Sequence, residues 1–420
     1  MFGDQHVETL GGAQVSMRLQ RRFLEKAGHT VTIVAPAMHG ARARGIAPDP
    51  ASVDMPSIPV TLDREYAMTR PTRRMDRWVD AALQSRPPVD VVHVQADFWG
   101  ALIGHRFAHR HGLPVVHTMH NRVDVGIEAT VPLPRVALSA LNAWQRRALR
   151  ASQRGLVGDV APGSDGWSYL RGFAIRSDAI TAPSLHFARR LEAHGVVPRL
   201  APGSLSEQPR VDVVWNGIDD DVLEEVLAGV DAQRHPGRPR FVWLGRMSPE
   251  KRLLPFLEAV VESRVDAEVE IVGGGAQLAA ARRIVERGHP LADVTFAGRL
   301  TYPETLRRLQ EADAVVQTSI GFETQGMTIF EAASLGTPAI VSDPDLAAEL
   351  GSGFWAVGGG RDAAPAEPDA SVEALAATLR AAAADVVAGT APSANPTIAE
   401  RFRQSSRTAA MVEVYDRVTA

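Results

Sequence analysis

The chain has 420 residues, 45% hydrophobic and 22% charged, which points to two domains with full cores and excludes a single small module or a disordered chain. A formal net charge of -4 offers no broad positive field for nucleic acid, and the absence of cysteine excludes disulfides, thiolate zinc sites and thiol nucleophiles. No run reaches the roughly 18 apolar residues of a membrane span and no cleavable leader is evident, so the sequence reads as cytoplasmic, without an integral anchor.

Helix-period residues Val15, Leu19, Phe23 and Leu24 precede the first β-branched run, Thr30 to Val34. Strand candidates follow at Val91 to Val94, Pro114 to His117 and Asp178 to Thr181, alternating with helical stretches. After Asn216-Gly217-Ile218-Asp219 the pattern restarts at Phe241 to Leu244. It continues through Val269 to Val272, Val294 to Phe296, Ala314 to Gln317 and Pro338 to Val341. The alternation predicts two doubly wound parallel sheets: an N-terminal domain over 1–218 and a second over 219–396. Segments 361–369 and 388–396 read as loops, and 397–420 as a terminal helix returning to the first domain. Only Met1 and Phe2 are apolar ahead of Val7 and the Gly11-Gly12 turn, so the first strand of the N-terminal domain is expected to be missing, the alternative being a first strand made from residues 1 to 5.

Lysine occurs only at Lys26 and Lys251, against an arginine background, which singles out any position that keeps a compact ammonium. Lys251 closes Leu244-Gly245-Arg246-Met247-Ser248-Pro249-Glu250-Lys251, a strand-loop-helix junction where Arg246 and Lys251 suit a diphosphate. A second junction, Gly321 to Glu331, carries Glu323 in its loop and Glu331 inside an apolar helical stretch, eight residues apart. Two such carboxylates can hold separate hydroxyl groups of one extended ligand, with the amides of Gln325, Gly326 and Met327 between them. A charge at Glu331, flanked by Ile329, Phe330, Ala332 and Ala333, calls for a partner.

Gly11-Gly12, Val213-Val214-Trp215-Asn216-Gly217-Ile218-Asp219, Gly245-Arg246 with Lys251 and the Glu-x7-Glu spacing of Glu323 and Glu331, in this order, resemble the retaining family 4 glycosyltransferases of GT-B fold. The resemblance implies two Rossmann-like domains facing across a cleft and hexosyl transfer from a nucleotide-sugar, UDP- or GDP-linked, that is a substrate. It implies no metal and no other cofactor. Carried over residue by residue, it implies that Arg246 and Lys251 hold the donor diphosphate, approached by the amides around Gly11 and Gly12. Glu331 takes the ribose hydroxyls, and Glu323 those of the transferred sugar. The loop of Gln325, Gly326, Met327 and Thr328 lies along the donor, His120 stands beside the donor sugar, and Leu300 meets the base. The catalytic set the resemblance implies is His120, Arg246, Lys251 and Glu323, with no carboxylate nucleophile and no general base assigned.

Met55 to Val60 with Arg64-Glu65-Tyr66, and Glu323 to Met327, are similar to segments of transferases that glycosylate membrane lipids such as diacylglycerol. A lipid acceptor is therefore expected, with peripheral contact at the inner face of the membrane and no nucleic-acid partner. Two segments are candidates for anionic head groups: Arg70, Arg73, Arg74 and Arg77 with Trp78, and a helix over Val136 to Arg154. The alternatives are a soluble acceptor, a nucleotide-sugar epimerase or a non-catalytic sugar-nucleotide binder. Gly273-Gly274-Gly275 lacks the third glycine of a dinucleotide loop, which has Leu278 instead. His105, His109 and His111 read as a solvated helix face, and Trp215 and Trp243 as core.

Overall fold

The computed structural model describes residues 1–9, 12–47, 49–61, 64, 66–150, 163–197, 211–229 and 237–420. They form two compact units, Met1–Gly217 with Arg407–Ala420, and Ile218–Ser406.

The first unit contains β1 (Phe2–Gly3), β2 (Ile33–Pro36), β3 (Ser52–Met55), β4 (Ile58–Pro59), β5 (Ala67–Met68), β6 (Val92–Gln95), β7 (Val115–Thr118), β8 (Ala179–Ala182) and β9 (Asp212–Val213). Seven of them make one parallel sheet in the order β3-β2-β1-β6-β7-β8-β9, while β4 and β5 pair antiparallel apart from it. Both faces of such a sheet are covered by helices, so β2, β6, β7 and β8 are buried along their whole length. The place between β2 and β6 is filled by β1, in which Phe2 lies opposite Val34 and Val94. Close approach there requires glycine: a Cβ on Gly100 would stand 2.4 Å from the Gly3 carbonyl oxygen.

The polar residues of β6 and β7 bond one another or the elements packed on them. His93 bonds Tyr415 Oη at 2.6 Å through Nδ1 and Thr118 Oγ1 at 2.7 Å through Nε2. His117 bonds His105 at 3.0 Å and the Ala96 carbonyl at 2.9 Å, and its burial pushes it down to about 3, so it is neutral. His105 therefore departs from the expected solvated helix face. In the helix Trp99–His111 it shares the buried side with Ala101, Leu102 and Ala108, while His109 and His111 are exposed.

The second unit contains β10 (Arg240–Arg246), β11 (Glu268–Gly274), β12 (Asp293–Gly298), β13 (Ala314–Gln317), β14 (Ala339–Val341) and β15 (Phe354–Ala356), parallel in the order β12-β11-β10-β13-β14-β15. Its core gathers Phe241, Trp243, Phe256, Ile271 and Trp355. The expected single terminal helix is two, Pro396–Arg401 and Gln404–Thr419. Between them Ile218 N donates to Phe402 O at 2.8 Å and Gln404 N to Ile218 O at 2.9 Å, diverting the backbone from a continuous helix. The expected helix from Val136 runs Pro134–Ala148; its proposed end at Arg154 lies outside the described residues.

Candidate functional site

In an open α/β sheet ligands bind beyond the carboxyl ends of the strands. In the second unit β10 and β13 are neighbours, with Trp243 opposite Val316, so the segments leaving them meet. The first runs through a single 3₁₀ turn, Pro249–Lys251, into the helix Leu253–Ser263. The second runs through Thr318 to Gly326 into the helix Met327–Ser334.

A short chain of hydrogen bonds fixes one against the other. Buried Trp243 Nε1 donates to Thr318 Oγ1 at 2.9 Å, and that hydroxyl donates to the Lys251 carbonyl at 2.6 Å. Lys251 Nζ then donates to Glu323 Oε1, which also accepts from Ser319 Oγ at 2.7 Å. The pair is mostly shielded, with 21% of the Lys251 side chain and 12% of that of Glu323 exposed, and the ammonium lies 5.6 Å from the Phe322 ring centroid. Arg246, by contrast, is 67% exposed and reaches Glu250 at 3.2 Å. A solvated guanidinium at the end of β10 thus stands a short turn ahead of a positioned ammonium.

The loop after β13 is tied down by Gly321 N, which donates to Asp343 Oδ2 at 2.7 Å. It ends at Gly326, where φ is 73° and a Cβ would stand 3.0 Å from Leu346 Cδ1, so this turn needs glycine. Gln325 and Gly326 are buried; Met327 and Thr328, which open the helix, are half-buried. Glu331, one turn on, is buried and accepts from Tyr302 Oη at 3.0 Å. Burial pushes its carboxyl up to about 7 although the Tyr302 bond favours the ionised form. Phe330 beside it packs on Phe402 at 5.5 Å, which anchors the helix. Leu300, half-buried, lies directly before the capping box of Thr301 and Glu304 that starts the helix Tyr302–Glu311.

In the first unit Gly12 is exposed at the start of the helix Gly12–Lys26, and Gly11 lies outside the described residues. His120, just past β7, is buried with Nε2 3.2 Å from Gln95 Oε1, and desolvation lowers it to about 4. It is a neutral imidazole at physiological pH.

The structure therefore joins Lys251 to Glu323, gives Glu331 its own partner in Tyr302, and pairs Arg246 with Glu250. Sequence reasoning missed Tyr302, Thr318, Ser319 and Asp343. Ser319 stands four residues from Glu323, a spacing that could have suggested a local bond; Tyr302 and Asp343 are brought in from separate elements, and Thr318, on the same loop, meets partners that come from β10 and the turn after it. The glycines at the end of β11 and just past it have a packing reason: a Cβ on Gly273 would stand 2.0 Å from Gly245 O, and one on Gly275 2.6 Å from Met247 O. Among the described residues no group of three or more histidine, aspartate or glutamate side chains is arranged to hold a metal ion.

The adjacent strand-loop-helix junctions after β10 and β13, joined by a shielded cation-carboxylate pair, form a ligand site of the kind an open α/β sheet offers. Residues 10–157 match the model described as Glycosyltransferase Family 4, and residues 238–385 the model described as Glycosyl transferases group 1. Together they span most of the chain, which belongs to the family 4 glycosyltransferases. It is 24% identical over 351 residues to the alpha-monoglucosyldiacylglycerol synthase of Streptococcus pneumoniae (strain ATCC BAA-255 / R6), covering 81% of this chain and 70% of that one. Among solved structures, Anabaena Alr3699/HepE in complex with UDP and glucose superposes with a TM-score of 0.62 at 13% identity, over 99% of this chain and 98% of that one. Sucrose-phosphate synthase (tll1590) from Thermosynechococcus elongatus gives 0.62 at 15% identity, over 99% and 95%. These likenesses establish the GT-B fold.

Proposed function

We propose that this chain transfers a hexose, with retention, from a UDP- or GDP-hexose to a hydroxyl group of a membrane lipid, without a metal or other cofactor. The observation that carries the reading is the Lys251–Glu323 pair at the ends of β10 and β13. A diphosphate offers Lys251 a more highly charged partner than one carboxylate. Its arrival exchanges the ammonium from Glu323 to phosphate and frees Glu323 to accept hydrogen bonds from sugar hydroxyls. Arg246 has the exposure and reach to close on the same phosphates.

The chemistry follows from charge. As the bond from the anomeric carbon to the diphosphate oxygen breaks, negative charge grows on the leaving group, and a cation already in position stabilises that charge most in the transition state. The acceptor hydroxyl bonds the anomeric carbon on the face the diphosphate leaves, and its proton passes to a phosphate oxygen. Neutral His120 donates or accepts a hydrogen bond at the sugar but holds no charge. Gly12, at the head of its helix, supplies an amide to the diphosphate. Glu331 holds the ribose and Leu300 contacts the base.

The lipid acceptor is supported by the similarity to a glucosyldiacylglycerol synthase and by exposed Ile58, Val60, Leu133 and Val136 in the first unit. No helix among the described residues is long and apolar enough to cross a membrane, so contact at the inner face would be peripheral. The test is a thermal-shift and saturation-transfer panel of UDP-, GDP- and ADP-sugars on the protein and on Lys251→Ala, followed by transfer of labelled hexose into diacylglycerol or a soluble alcohol. A shift with one nucleotide class, lost in the variant, and label in the lipid phase are expected. Donor binding with label only in the soluble product would overturn the lipid acceptor; no donor response from folded protein would overturn the transferase reading.

A further inference from the structure

The first unit holds a second concentration of charge that the transfer reaction does not use. Helices Arg73–Gln84, Trp99–His111 and Pro134–Ala148 border a groove of about 1080 Å³. Arg73, Arg77, Arg106, Arg110, Arg147 and Arg150 line it, and Trp144 contributes an apolar wall. We propose that this groove binds a phosphoryl anion.

Its inner arginines are built in place. Arg106 pairs with Asp76, a carboxylate only 10% exposed, and Arg106 Nη1 donates to the Pro71 carbonyl at 3.1 Å. Arg110 reaches Asp76 at 3.0 Å and Asp80 at 2.7 Å. Both guanidinium planes are thereby fixed before any ligand arrives. The outer four, Arg73, Arg77, Arg147 and Arg150, are exposed and have no hydrogen bond or ion pair among the described residues. Six guanidinium groups thus face two carboxylates in a chain whose formal net charge is -4. Such convergence of unpaired like charge is unfavourable on its own, and a multiply charged oxyanion relieves it. The planar fork of arginine matches phosphate oxygens two at a time, so cations on three helices can surround one phosphoryl group.

Two sources present that chemistry, a free phosphate and the head group of an anionic lipid. The helix that carries Arg147 opens with Leu133, 67% exposed, and Val136, 64% exposed, which suits a membrane surface. The inference stands apart from the donor reading, because every residue it uses lies in the first unit.

The experiment measures binding of two probes, vesicles of phosphatidylglycerol in phosphatidylcholine by sedimentation and sodium pyrophosphate by calorimetry. Both are applied to the protein, to Arg77→Glu/Arg147→Glu and to Arg77→Gln/Arg147→Gln. Among the described residues these side chains have no partners to lose, and an unchanged thermal midpoint checks the fold. Affinity should fall by at least about 25-fold in either double variant, roughly fivefold per charge removed. It should also weaken in the unaltered protein as salt is raised from about 0.1 to 1 M. Loss confined to vesicles assigns the groove to lipid head groups, and loss confined to pyrophosphate assigns it to a soluble phosphate. Binding of neither probe, or binding that both variants retain, overturns the proposal. Donor binding by the same variants is read separately, so failure here leaves the transferase reading untouched.

Discussion

Lys251 and Glu323, 72 residues apart in the chain, share an ion pair whose carboxylate oxygen is also bonded by Ser319 and whose lysine carbonyl is held by Thr318. The ammonium is thus positioned by its neighbours before any anion arrives. Lys251→Ala should lower kcat by at least about 10²-fold, the scale of losing one preorganised donor to a developing oxyanion. Glu323→Gln should leave the diphosphate affinity of Lys251 equal or stronger while reducing turnover. Steady-state kinetics with calorimetry of the free nucleotide separates the two effects.

Glu331 gives a pH-dependent signature. Its carboxyl is raised from the ordinary 4.5 to about 7, so the folded state holds a proton that the unfolded state has released. The sign follows: between roughly pH 4.5 and 7 the unfolded chain binds fewer protons, and stability falls as pH rises through that window. Glu331→Gln keeps an acceptor for Tyr302 and removes the buried charge. It should raise the thermal midpoint at pH 8, with a gain bounded at about 3 kcal/mol, and change it little at pH 4.5. Donor affinity should fall in the same variant. A midpoint that does not rise at pH 8 would dispose of the buried-charge argument.

Thr318 links the core to the site. Thr318→Val leaves Trp243 Nε1 and the Lys251 carbonyl without their hydroxyl partner, and unfolding in urea should show a loss of about 1–3 kcal/mol. Thr318→Ser, which keeps the hydroxyl, should recover most of it.

Gly275 is required by backbone contact with Met247, and its φ of 156° adds conformational strain for any other residue. Gly275→Ala should cost about 1–3 kcal/mol for the conformation alone, plus the displacement of the loop that leads to Lys251. Loss of nucleotide binding together with a lowered thermal midpoint is the expected result, and a neutral substitution would contradict it.

The strand candidates at Ala314 to Gln317 and Phe241 to Leu244 were legible because strands covered on both faces carry continuous β-branched and aromatic runs. β3 and β15 were not singled out: Ser52–Met55 and Phe354–Ala356 are too short and too mixed to stand out from loops. The histidines of the helix Trp99–His111 were misplaced for a related reason, since composition does not reveal which helix face meets the sheet. His105 is buried by its angular position, and its polarity is met by His117, which arrives from β7. At the site, the demand of Glu331 for a partner could be read from its apolar neighbours, but Tyr302 could not be named.

The sequence by itself determined the alternation of strands and helices, the junctions where Arg246, Lys251, Glu323 and Glu331 stand, and the need to satisfy a charge in an apolar helix. These properties are local, set by side-chain periodicity and by the conformations that glycine and proline allow. Only the tertiary structure decided who meets whom. The order β11-β10-β13 puts β10 beside a strand some 70 residues later, and that adjacency alone brings Lys251 to Glu323. The packing of Arg73–Gln84 against Trp99–His111 likewise sets Asp76 between Arg106 and Arg110. Ion pairs and hydrogen bonds act over a few ångströms in space, and the chain separation of their partners is fixed by sheet order, which no local pattern records.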